Sequence, residues 1–171
     1  PHNIAAVLRS CDAVGIMEVY VINTKENRRR NYDPNTSSSA AKWMKIHHYF
    51  EIKSCFLDLR KKYKQIFSTH LSKEPKSIYQ LDLTLPTALV FGNERSGLSE
   101  EILSYCDGNF IVPQVGMISS LNISVACAVS IYEAYRQKSA FGHYDTKKIN
   151  EGEASMLHEF WKVNAADLET N

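Results

Sequence analysis

Two glycine-containing loops carry polar groups that could do chemistry. One reads Gly92-Asn93-Glu94-Arg95-Ser96-Gly97, and the other runs from Pro113 through Gly116 to Ser119, Ser120 and Asn122. Each follows a short apolar stretch, Thr87 to Phe91 or Phe110 to Val112, that reads as a strand. Open α/β sheets bind ligands beyond the carboxyl ends of their strands, so the loops form a candidate site. Glycine lets backbone approach a ligand closely, and Val112, Met117 and Leu121 can wall a flat apolar ring. Asn122 is the anomaly, a lone amide opening an uncharged run from Leu121 to Ile131. A helix apolar nearly all round is expected to be buried, with Ser119 and Ser120 as its N-cap residues. A buried amide must be hydrogen-bonded, either to the helix start itself or to a ligand.

Other chemistries fail on spacing. Gly92 and Gly97 have the phosphate-loop interval, but Leu98-Ser99 follows where Lys-Ser/Thr is required. There is no GxGxxG and no GxSxG, so neither a standard dinucleotide site nor a nucleophile elbow is supported. His47 and His48 are adjacent and cannot share one metal on one face, so no metal site is expected.

The elements that must carry these loops follow from periodicity. Residues 3 to 15 read as a helix with Ile4, Val7, Leu8, Cys11 and Val14 as its buried stripe, Asn3 as cap and Gly15 as terminator. Arg9 lies beside that stripe, free to reach a ligand or a partner, or simply to be solvated. Strands are expected at Glu18 to Asn23, Ile46 to Phe50, Gln65 to Thr69, Thr87 to Phe91 and Phe110 to Val112. Helices are expected at Ile52 to Tyr63, Glu100 to Tyr105, Leu121 to Lys138 and Met156 to Leu168. That alternation predicts an α/β fold with a parallel sheet flanked by helices. Arg28, Arg29 and Arg30 on a polar loop, and Lys61, Lys62 and Lys64 near the end of a basic helix face, are candidate RNA-phosphate contacts or solvated charge.

Composition sets the bounds. The 171 residues suit one α/β domain, with 44% hydrophobic and 23% charged residues and a formal net charge of +1. A nucleic-acid surface must therefore come from local clustering. No apolar run is long enough to span a membrane. Cys11, Cys55, Cys106 and Cys127 lack CxxC spacing and read as free thiols in a reducing cytosol. The chain begins at Pro1 rather than Met, so a preceding segment is expected.

Three segments taken together are highly specific. They are Asn3-x5-Arg9 with Ser10-Cys-Asp-Ala-Val-Gly15, Leu89-Val-Phe-Gly-Asn-Glu-Arg-Ser-Gly-Leu98, and Val112-Pro-Gln-Val-Gly-Met-Ile-Ser-Ser-Leu-Asn-Ile-Ser-Val-Ala126. In order and content they resemble the motifs of the SpoU/TrmH family, RNA ribose 2′-O-methyltransferases of the SPOUT class. Residues 31 to 43 and the tail after Arg136 look closest to the family's tRNA-guanosine branch. The resemblance implies a C-terminal deep trefoil knot, an exception to the rule that chains avoid knots. It implies S-adenosylmethionine held near Leu89, Gly92, Val112, Met117 and Leu121, and a catalytic set of Asn3, Arg9, Glu94, Ser120 and Asn122. Val112 departs mildly from the isoleucine usual at that position. It further implies a cytoplasmic homodimer in which Arg9 completes the partner's site. Residues 1–140 would form the methyltransferase domain, with 141–171 a tail and helix packing on it or on the partner. The substrate would be tRNA, at its D-loop guanosine. A ribosomal RNA methyltransferase and a non-catalytic knotted RNA-binding protein remain the alternatives.

Overall fold

The computed structural model describes residues 2–23, 39–71, 75–93, 96–118, 120–146 and 149–169. Helix α1 (His2–Ala13) buries Leu8 and Cys11, with Val14 buried just beyond its end, along the expected stripe. Gly15 ends it at φ 76°. The Gly15 N–H donates to the Asp12 carbonyl at 3.0 Å and the Ile16 N–H to the Cys11 carbonyl at 2.9 Å. That pair of bonds is the helix cap that a left-handed residue permits. Asn3 does not cap α1, because the helix already begins at His2 and Asn3 sits inside its first turn.

Strands β1 (Glu18–Ile22) and β2 (Lys45–Tyr49) form a parallel ladder, Glu18 opposite Lys45. A 3₁₀ turn, Ser39–Lys42, precedes β2. Next come α2 (Ile52–Lys62), β3 (Gln65–Thr69), the short β4 (Lys76–Ser77), β5 (Thr87–Val90), α3 (Glu100–Ser104), β6 (Gly108–Ile111), α4 (Ile123–Ala140) and α5 (Glu151–Glu169). The second ladder is also parallel and runs β4-β6-β3-β5. Strand β6 thus lies between β3 and β4, two strands that the chain makes consecutively.

The expected parallel sheet is present as two parallel ladders that share their covering layers. Val19 and Ile46 of the first ladder and Leu89 and Phe91 at the second pack on the cluster around Leu8, Cys11, Cys127 and Ile131 from α1 and α4. Tyr20, Ile22, Ala88 and Val90 pack instead on Cys55, Phe56 and Leu59 of α2. Successive side chains of β1 and β5 therefore feed opposite layers, as strand alternation demands.

Helix α4 departs from the expectation in two ways. It starts at Ile123 with Asn122, not Ser119 or Ser120, as N-cap: Asn122 Oδ1 accepts from the Ser124 N–H, and Asn caps as well as Ser. Ser119 lies outside the described residues, and Ser120 is exposed. Nor is α4 buried all round. It buries Cys127, Ser130, Ile131 and Glu133, while Val125 and Tyr132 are 46% and 51% exposed. The seven-residue interval puts those two on one stripe, left about half exposed by the described residues. Helix α5 docks on the body, where Trp161 Nε1 donates to the Trp43 carbonyl at 3.2 Å.

Candidate functional site

The first loop closes on itself. The Gly97 N–H donates to the Asn93 carbonyl at 3.0 Å, and the Ser96 N–H donates to Asn93 Oδ1 at 2.8 Å. Asn93 Nδ2 donates to Ser96 Oγ at 2.7 Å. A Cβ placed on Gly92 would stand 2.5 Å from the Gly97 carbonyl carbon, and Gly97 itself sits at φ 64°. Both glycines are thus demanded by the loop's own closure. Leu89 packs its side chain into the core from mid-β5. Glu94 and Arg95 lie outside the described residues, as do Arg28, Arg29 and Arg30.

In the second loop Val112 packs on the cluster of Ile78, Leu83 and Phe110, and Leu121 is half-buried. Val115 and Met117 are fully exposed, so in this chain Met117 walls nothing.

The loops are joined through α1. Asn122 Oδ1 accepts from the Ser124 N–H at 2.8 Å and from Ser124 Oγ at 2.6 Å, and Asn122 Nδ2 donates to Asn3 Oδ1 at 3.2 Å. Asn122 is exposed rather than buried, and its amide serves the helix start and α1 together. Asn3, Leu89, Gly92, Asn93, Gly97 and Ile123 line one cleft; Arg9, Val112, Met117, Ser120 and Leu121 do not. Arg9 is exposed on α1, six residues beyond Asn3 and so about 120° away around the helix. The chain brings Asn3 and Asn122 together and turns Arg9 elsewhere. The Asn3–Asn122 contact, between residues far apart in sequence, has no local signal. The capping role does have one, a polar Ser124 two residues after an Asn.

The basic face of α2 is largely committed to the chain's own carboxylates. Lys61 Nζ lies 2.7 Å from Asp58, and Lys62 Nζ lies 2.6 Å from Glu18. Burial pushes the Glu18 carboxyl up, but hydrogen bonds from Lys62 and Tyr20 outweigh it and hold the group below its usual range. Arg60 grips both oxygens of Asp107 at 2.7 and 2.8 Å. Lys64 is exposed and forms no ion pair among the described residues. Among those residues no three metal-ligating side chains converge, and no helix is long and apolar enough to cross a membrane.

Comparison with known proteins follows the same residues. The model of the SpoU rRNA methylase family matches residues 1–132. The tRNA (guanosine(18)-2′-O)-methyltransferase of Thermus thermophilus is 36% identical over 150 residues, covering 88% of this chain and 76% of that protein. The crystal structure of the A. aeolicus TrmH/SpoU tRNA modifying enzyme superposes with TM-score 0.83 at 33% identity, covering 95% of this chain and 83% of that one. The SpoU methyltransferase AviRb of Streptomyces viridochromogenes, solved with the cofactor AdoMet, gives TM-score 0.69 at 27% identity over 81% of this chain and 56% of its own. With its three motif segments in order, a parallel α/β fold around them and a family match across most of its length, the chain belongs to the SpoU rRNA methylase family.

Proposed function

We propose that the chain is an S-adenosylmethionine-dependent tRNA (guanosine-2′-O)-methyltransferase, acting on the D-loop guanosine. The observation that carries this reading is the Asn3–Asn122 hydrogen bond, which ties the first motif to the third where Asn3 and Gly92 line one cleft. Relatives that cover most of this chain and of themselves are tRNA enzymes, which favours tRNA over ribosomal RNA. The donor set suits an adenosyl group: backbone at a glycine turn, apolar Leu89 and Ile123, and the amides of Asn3 and Asn93. Val112, Met117 and Leu121 would join it from the neighbouring loop.

When bound, S-adenosylmethionine supplies a sulfonium methyl group, an electrophile that needs no metal. The chain's own work is to align a ribose 2′-hydroxyl and to accommodate the charge on its oxygen as the proton leaves. Arg9 keeps its proton in proteins, so its role is to stabilise the developing alkoxide electrostatically. Asn3 and Asn122 hold the nucleotide side of the cleft, with Ser120 and Glu94 completing the set.

Arg9 turns away from its own chain's Asn3 and Asn122, which supports a homodimer with a shared site. The exposed Val125–Tyr132 stripe on α4 offers the apolar contact. The reading includes the trefoil knot. In its favour, β6 inserts between β3 and β4, and α4 then bonds to the connection that precedes β5. Residues 1–140 form the methyltransferase unit in this reading, with 141–171 attached to it. Its work is cytoplasmic, in keeping with four free thiols.

Mixing variants tests the proposal. Arg9→Ala should retain its fold and cofactor affinity but lose at least about a hundredfold in turnover on tRNA. Asn122→Ala should fail at the cofactor cleft. Mixed chains should regain activity through heterodimers that hold one intact site. No recovery, with heterodimers shown to form, would refute the shared site; no ribose methylation of tRNA by the unaltered chain would refute the activity.

A further inference from the structure

The far end of α4 carries a polar cluster that the methyl-transfer chemistry does not use. Both ends of the Gln137 side chain are occupied there. Oε1 accepts from the Leu83 N–H at 2.8 Å, and Nε2 donates to the Leu81 carbonyl at 3.0 Å and to the Glu133 carboxylate at 2.8 Å. Glu133 is only 6% exposed and also accepts two bonds from the Arg136 guanidinium, each 2.8 Å. Lys138 Nζ adds bonds to the Thr84 and Leu85 carbonyls at 3.0 and 3.2 Å. Polar groups this well satisfied, on partly buried backbone, define one geometry rather than several.

What the cluster joins gives it meaning. The segment Leu81–Leu85 leads through Pro86 directly into β5, and the other end of β5 opens into the Gly92–Gly97 loop. Helix α4 likewise runs from Gln137 back to Asn122, about 22 Å at the helical rise. One half of the candidate cofactor cleft hangs on β5 and the other on α4, and the two elements are tied together at their opposite ends. Between those ends α4 packs mainly on α1 rather than on β5.

We infer that Gln137 is a positioning residue for the cofactor cleft. It fixes α4 along its axis against the entry to β5, and so sets the spacing between the Asn122 end of α4 and the Gly92–Gly97 loop. The inference deepens the methyltransferase reading and rests on it. Gln137 touches neither substrate nor cofactor; it acts through the two rods. A spacing error would reach a ligand that bridges both loops and would spare RNA contacts made elsewhere on the surface.

The test uses the full chain, calorimetry with S-adenosylhomocysteine, urea midpoints, and KM and kcat on tRNA. Gln137→Leu shortens the side chain by one atom and removes every one of its hydrogen bonds. It should bind S-adenosylhomocysteine at least about tenfold more weakly, with KM for tRNA changed less than about twofold. Ile66→Val, buried in the α2 cluster and outside the lining of the cleft, serves as a variant of lowered stability and should keep its affinity within about twofold. If Gln137→Leu is destabilised like Ile66→Val but binds as the unaltered chain does, the inference is overturned and the methyltransferase reading stands. If the unaltered chain binds no S-adenosylhomocysteine, both fall. Should Gln137→Leu not fold, Gln137→Glu carries the test: it keeps the acceptor for Leu83 and loses the donor to Leu81. A several-fold weakening there supports the positioning role, and unchanged affinity overturns it.

Discussion

Gly92→Ala separates a glycine needed by the protein's own loop from one kept only for ligand approach. The added Cβ would stand 2.5 Å from the Gly97 carbonyl carbon, 2.7 Å from its oxygen and 2.9 Å from its Cα, where 3.4 Å begins ordinary contact. The nearest atom must therefore retreat by about 0.9 Å, and it belongs to backbone rather than to a yielding side chain. Retreat strains or breaks the Gly97 N–H bond to Asn93 and the Ser96 N–H bond to Asn93 Oδ1. At about 0.5–1.5 kcal/mol for each bond, the loss is about 1–3 kcal/mol, the range usual for overpacking. For a domain of this size that lowers Tm by roughly 2–12 °C. Two other glycines calibrate the result. Gly97→Ala meets no atom within 4 Å but must hold φ 64°, a left-handed conformation that costs roughly 1–2 kcal/mol. Gly97→Asn should recover part of that, since Asn tolerates the left-handed region. Gly116→Ala meets nothing within 4 Å and should be near neutral. Urea denaturation ranks the variants, and calorimetry with S-adenosylhomocysteine should show at least about a tenfold loss for Gly92→Ala. A Gly92→Ala chain as stable as Gly116→Ala would refute the loop-closure argument.

The ion pairs give two further expectations. Arg60 holds the Asp107 carboxyl below its ordinary value of 3.8, against burial and with help from the Ile66 N–H. The pair's stability is therefore complete above that value and is lost as pH falls through the lower, folded one. Asp107 is 41% exposed, so the contribution is about 1 kcal/mol or less. The urea midpoints of the unaltered chain and Asp107→Asn should differ at pH 7 and converge as pH falls well below 3.8, and a gap that widens in acid would contradict the assignment. Lys64→Gln should weaken binding of all RNAs alike and lower the salt slope by about 1. Lys62→Gln, whose cation already serves Glu18, should act on stability instead, and the reverse pattern in binding isotherms at several salt concentrations would refute this division.

Much of the fold was legible because its signals are local. Strand β3 has the bounds read from its β-branched and aromatic residues, and α1 has the stripe and the Gly15 terminator. The glycine loops were legible too, since loops after apolar strands are where α/β folds bind. What failed depended on choices that local preference leaves equal or on distant partners. Ser119, Ser120 and Asn122 are all good caps, and the helix takes Asn122, whose side chain also reaches Asn3 on a distant element. Lys61 pairs with Asp58 within one helix turn and Lys62 with Glu18 on another element, commitments that the reading of a basic helix face did not include. The apolar character of α4 was plain, but composition cannot say whether this chain or another covers Val125 and Tyr132.

The position of β6 has a consequence for biosynthesis. Strand β6 joins β3 to β4 as the middle member of their ladder, with Phe67 opposite Gly108 and Ser77 opposite Ile111. A chain emerging from the ribosome thus completes β3 and β4 long before the strand that unites them. Until Ile111 is made, Ile78 and Leu83 lack Phe110, with which they form one buried cluster. Over that interval the nascent chain presents an unfilled sheet position bordered by apolar surface, the kind of intermediate that aggregates or engages chaperones. Truncation before β6 should therefore not yield a smaller stable domain, and a stop codon there should leave a product cleared by proteolysis rather than one with reduced activity.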